Sequence, residues 1–241
     1  MKTEEIKYLV EGVRRLDESI DVEKAYNWKI PDDCPITQPA YLANLYDQNV
    51  FLKKSFAERL SSDVNMDDYY WIINSWGGIK TFKPSEKNNS RIQKFKTELA
   101  AEKLSRDSFN VISSLSKLAA FQNPDTYFIY DSRAIYSLNW LILKYCDSNL
   151  LFPQPTGRNS TLSSLNLENI LNLAGIEYSK ISYQYSFFQY CDLLKLISLD
   201  VFQEQNPQKV EMLLFMAAPN EIADDVKKSL SVSLNLNKSV L

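Results

Sequence analysis

Apolar positions recur at helical spacing along most of this chain. Ile6, Leu9, Val10 and Val13 fall on one face of a 3.6-residue repeat, and Ala43, Leu45, Phe51, Leu52, Phe56 and Leu60 mark a second face further on. The segment "MDDYYWIINSWGGIKTFKPSEKNNS" breaks the rhythm with aromatics, Gly77, Gly78 and Pro84. From Ser90 to about Phe121 the pattern is helical again and reads as two helices meeting near Ser105 to Ser108. After "NPDTYFIY" a long helix is expected from Ser132 to about Tyr145, with Ile135, Leu138, Leu141, Ile142 and Tyr145 on its core face. "FPQPTGRNS" reads as a loop, "TLSSLNLENILNLAGI" starts on a Ser/Thr cap pattern, and "YQYSFFQYCDLLKLISLDVF" and "PQKVEMLLFMAAP" supply two more amphipathic helices. The expected fold is all-α (mainly α), with one minor strand at most. It is a compact helical bundle of two packed lobes in a single domain, residues 1–241.

Composition removes several chemistries. There is no histidine, so the imidazole base, the Ser-His and Cys-His nucleophile pairs and most transition-metal sites are excluded. Three widely spaced cysteines, Cys34, Cys146 and Cys191, form neither a disulfide framework nor a zinc motif. Only five glycines are present, and nothing resembles a phosphate-cradling glycine loop. The opening "MKTEEIKYLVEGVRRLDESI" is charged and amphipathic without a long apolar run, so a cytoplasmic chain without a membrane span is expected.

The net charge of −3 is unevenly spread. Between Lys80 and Asp107 stand eight basic and four acidic residues, which leaves this stretch at about +4 and the remainder at about −7. Lys80, Lys83, Lys87, Arg91 and Lys94 are therefore candidate contacts to a phosphate backbone, beside the aromatic "YYWIINSWGG". A solvated helix face gives the same charge run.

"YDSR" poses the sharpest question. Asp131 and Ser132 precede the apolar helix stripe, where a short oxygen-bearing side chain accepts the free N–H groups of a first helical turn. A plain cap explains this much, with Arg133 as a first-turn residue. The wider stretch "SKLAAFQNPDTYFIYDSRAIYSLNWL" resembles prokaryotic 8-oxoguanine-glycosylase-like proteins of the helix-hairpin-helix DNA glycosylase superfamily. It shares with them a Ser-Lys-Leu helix, an Asn-Pro step, and an aromatic-Ile-aromatic-Asp-Ser-Arg step. Outside these thirty or so residues only the helical layout and "VEMLLF", where Glu211 stands among apolar neighbours, extend the likeness.

The resemblance implies a fold of that helical type, divided as N-terminal helices (1–66), a DNA-binding and catalytic core (67–150) and C-terminal helices (151–241). It implies a double-stranded DNA partner carrying a damaged or modified base, a monomeric chain, and no metal or other cofactor. Asp131 and Lys117 become the catalytic candidates. An ionised carboxylate stabilises the oxocarbenium-like sugar formed when an N-glycosidic bond breaks, and the positive end of a helix suits it. "VISSLSKLAAF" lacks the Gly-x-Gly of the usual hairpin, and the interval from Lys117 to Asp131 is short for a bifunctional enzyme, so water is the expected nucleophile. A flipped base needs stacking and edge-reading groups, for which residue type offers Trp71, Asn74, Trp76, Tyr127, Tyr130, Asn139 and Tyr185, with Arg133 among the backbone contacts. Some prokaryotic glycosylases act on modified bases in phage DNA, so antiviral base excision is one version of this expectation. The alternative class is a non-catalytic helical module that binds nucleic acid or protein.

Overall fold

A computed structural model describes residues 3–62 and 65–231. Among these the elements are helical except for one short parallel strand pair. In order they are α1 (Thr3–Ser19), α2 (Val22–Ala25), α3 (Leu45–Ser62), α4 (Met66–Tyr70), α5 (Glu86–Ala100), α6 (Arg106–Phe109), α7 (Ile112–Gln122) and α8 (Ser132–Tyr145). There follow β1 (Leu150–Leu151), α9 (Ser160–Ser164), α10 (Leu167–Leu173), β2 (Ser179–Lys180), α11 (Ser186–Phe202), α12 (Pro207–Ala217) and α13 (Ala223–Ser229). Leu150 pairs with Ser179 and Leu151 with Lys180. No described helix is long and apolar enough to cross a membrane.

The expected interruption at "MDDYYWIINSWGG" is itself helical. α4 continues into a π-helical turn over Trp71–Trp76, which ends at Gly77. The stretch expected as two helices from Ser90 to Phe121 is three, because Ser105 accepts the N–H of Ser108 and starts the single turn of α6 between α5 and α7. α8 has the expected bounds. Its apolar stripe packs on α12 and α1, while α7 packs on α3 and on the π turn.

Buried apolar side chains form one contiguous cluster. Phe121 on α7 links Phe56 on α3 to Trp76 of the π turn through ring centroids 5.4 and 4.7 Å apart. Tyr130, just before α8, meets Tyr190 on α11 at 5.2 Å. The extended segment that delivers the start of α8 is thus clamped between α7 and α11.

Candidate active site

An open cavity of about 1220 Å³ lies where α7, the N-terminus of α8, the π turn, α12 and the loop of residues 153–159 converge. Its aromatic walls are Tyr26, Trp28, Trp76, Phe109, Tyr183 and Phe215, and its interior carries Lys117, Asp131 and Glu211.

Asp131 reaches the cavity because of local geometry. Residues 128–131 are non-helical, and side chains in an extended segment alternate between faces. Ile129 and Asp131 line the cavity, whereas Tyr130 points into the core and donates its hydroxyl to the Pro153 carbonyl at 2.9 Å. Asp131 then caps α8, its Oδ1 accepting the Arg133 N–H at 2.8 Å. Oδ2 takes no hydrogen bond among the described residues. Cap and cavity carboxylate are two oxygens of one side chain.

Lys117 sits in the middle of α7 and is 5% exposed. Its ammonium donates to the Ser113 carbonyl, one turn back, at 2.6 Å, and makes no ion pair among the described residues. Burial lowers its pKa below the usual lysine value; Asp131 and Glu211 oppose that shift, and Arg158 and Lys53 add to it. A buried lysine whose pKa is lowered gives up its proton more readily than a surface lysine, which is what an amine nucleophile requires. Nor does Lys117 pair with Asp131, although both line the cavity.

Gly77 makes space for this lysine. A Cβ there would stand 2.7 Å from Lys117 Cδ and 2.7 Å from the Ile73 carbonyl oxygen. On the opposite wall Gly157 lies so close to the start of α8 that a Cβ would stand 2.6 Å from Ser132 Oγ. Gln154 donates to the Ser132 carbonyl at 2.6 Å, and Arg158 donates to the Gly78 carbonyl at 3.0 Å. The loop of residues 153–159 thereby joins α8 to the end of the π turn.

Three guanidinium groups line the cavity without a carboxylate partner among the described residues. Arg106 lies over the Tyr183 ring at 4.2 Å, Arg133 over the Phe215 ring at 4.8 Å, and Arg158 holds Gly78. Ring faces attract cations, so Arg106 and Arg133 are held in place without a counter-charge. Glu168 and Lys180 also line the cavity but pair with each other.

Of the residues expected from sequence, Lys117, Asp131, Trp76 and Arg133 are brought together; the other base-pocket candidates are not. Trp71 stacks on Phe56, donates to Asp33 at 3.0 Å and is outside the cavity lining. Asn74 is outside the cavity lining, its Oδ1 buried without a partner among the described residues. Tyr127 stacks on Phe187, and Tyr185, 40% exposed, precedes α11 away from the cavity. Asn139 lies two turns into α8, facing the core, and both ends of its amide bind the backbone of Phe152 at 2.9 Å. It anchors the chain that leads into the 153–159 loop and is outside the cavity lining.

The lysine-rich stretch is likewise divided. Arg91 is held by Asp107 at 2.7 Å, and Lys94 lies 3.8 Å from Glu98. Lys80, Lys83 and Lys87 are exposed and make no ion pair among the described residues, but none of them lines the cavity. The residues missed were Tyr26, Trp28, Phe109, Tyr183, Phe215, Arg106 and Arg158 as cavity walls, and Glu211 as a cavity acid. Only Glu211 left a local signal, as a lone acid in the apolar run "VEMLLF". The described residues hold no cluster of three or more metal-ligating side chains.

No family model matches this chain, and no curated protein or solved structure matches it.

Proposed function

We propose that this protein is a DNA glycosylase that excises a damaged or modified base, with Asp131 and Lys117 at its reaction centre. The observation that carries the proposal is the juxtaposition of a buried, unpaired lysine amine and a helix-capping carboxylate across one open cavity. A binding module has no use for an ammonium buried at such cost, whereas N-glycosidic cleavage uses both groups.

In the proposed reaction the C1′–N bond of an extruded nucleotide breaks and its electron pair leaves with the base, which takes up a proton. The Asp131 carboxylate faces the positive charge that develops on the sugar. The lysine amine then bonds to C1′, and water later releases it, so the net change is hydrolysis. Burial of Lys117 favours this amine route over the direct attack by water expected from sequence. Trp28, Trp76 and Phe215 offer faces for the extruded base, and Arg106, Arg133 and Arg158 are placed for its flanking phosphates. Phage DNA with modified bases is one source of substrate in this proposal.

The test is mass detection of free base after incubating the protein with DNA from several sources, including phage DNA with hypermodified bases. Release by the wild type that is lost in Asp131→Asn is expected. Tight DNA binding with no base released from any source would overturn the proposal in favour of a binding module.

A further inference from the structure

Behind the cavity lies an ion pair that the proposed chemistry leaves unused. Lys53 on α3 and Glu211 on α12 stand 3.2 Å apart, with side chains 1% and 6% exposed. Glu211 Oε2 accepts both from Lys53 and from the Ile129 N–H, at 3.4 Å. Ile129 is two residues before Asp131, so the segment carrying the catalytic carboxylate is tied to α12 through this one oxygen. Glu211 itself lines the cavity, while Lys53 is packed behind it. A buried ion pair adds little net stability over apolar side chains of similar volume, so stability gives a weak reason for placing charge here.

We propose that Glu211, held by Lys53, is a positioning residue for the reaction centre: it anchors the segment that delivers Asp131 and balances the charge around the Lys117 amine. This rests on the reading of Lys117 as the reacting amine. Charged groups stand around the cavity that Lys117 lines, and Lys53, Asp131, Arg158 and Glu211 act on its amine. Lys53 comes from α3, Arg106 from α6, Asp131 and Arg133 from the start of α8, Arg158 from the 153–159 loop and Glu211 from α12. The π turn contributes the uncharged Gly77, the Tyr26 phenol is kept neutral by burial, and Glu168 and Lys180 neutralise each other. Burial, with the positive charges of Arg158 and Lys53, favours loss of the amine's proton. Glu211 and Asp131 act against this, and Lys53 moderates Glu211. Removing either member of the pair should therefore move the amine's protonation in opposite directions.

The experiment needs no DNA. Competitive acetylation with acetic anhydride, which only the unprotonated amine attacks, compares Lys117 with the exposed Lys54 across pH by peptide mass spectrometry. Lys53→Met leaves the Glu211 carboxylate without its counter-charge, and the Lys117 midpoint should rise by on the order of one pH unit. Glu211→Gln keeps an acceptor for the Ile129 N–H but removes the anion, and the midpoint should fall. Lys53→Arg preserves the pair and should leave the midpoint in place. Either of the first two variants, once shown to be folded by circular dichroism, decides the sign alone. An unmoved midpoint, or movement in the same direction for both, would overturn the proposal. Failure to release base from any DNA would remove the glycosylase reading and leave this titration intact, so the two failures are distinct.

Discussion

Gly77 is packed against Lys117 so closely that a Cβ on the glycine would stand 2.7 Å from the lysine Cδ. Gly77 has an ordinary helical φ of −76°, so what demands glycine is space and not backbone freedom. The same Cβ would meet the carbonyl oxygens of Ile73 and Ile72 at 2.7 and 2.9 Å, which the π turn brings inward. Gly77→Ala must therefore push Lys117 or open the turn. We expect about 1–3 kcal/mol of destabilisation and a loss of roughly tenfold or more in borohydride trapping of a Lys117–DNA adduct. Gly78→Ala is the control. Its φ of +65° costs an alanine about 1 kcal/mol, but nothing lies within 4 Å, so trapping should persist.

Asp131→Asn separates the cap from the chemistry. Asparagine caps a helix about as well as aspartate, so thermal melting should show a loss well under about 1 kcal/mol. The anion facing the sugar is gone, and base release in single-turnover reactions should fall by roughly a hundredfold or more. Near-normal release would remove Asp131 from the reaction.

Lys117 carries a pH prediction for stability. Its folded pKa lies below the unfolded value, so between the two the unfolded chain binds more protons and stability rises with pH. At lower pH the cost of burying the ammonium is paid in full. Lys117→Met should therefore be more stable than the wild type at pH 6, with the gain shrinking as pH rises toward about 10.4, the unfolded lysine value. Urea midpoints at several pH values provide the check. A gain that grows with pH would contradict the sign.

The cavity arginines predict the salt dependence of DNA binding. Each phosphate contact removed should lower the slope of log affinity against log salt by about 0.9. Arg106→Gln and Arg158→Gln should each do so. Arg91→Gln should not, because Asp107 already holds that guanidinium. The reverse pattern would return the DNA contact to the lysine-rich stretch.

Periodicity and capping chemistry by themselves determined α8 and its first residue, because a helix start depends on neighbours two to four positions away. Asp131, Arg133 and Ile135, the first residue of the apolar stripe, lie within that range. The helix bearing Lys117 was legible for the same reason, as was a break in regular helix near Gly77. Sequence alone left open which aromatics face the cavity. Trp71 and Trp76 are chemically alike, and only the tertiary packing gives one to Asp33 and the other to the cavity wall. Tyr130 and Asp131 are adjacent, and the alternation of an extended segment divides them between core and cavity. Lys53 and Glu211 are 158 positions apart, and Arg106, Arg133 and Arg158 come from three separate elements. No local rule joins such residues; the packing of α7 against α3 and of α8 against α12 does, because burying those apolar stripes leaves each polar side chain only one direction in which to point.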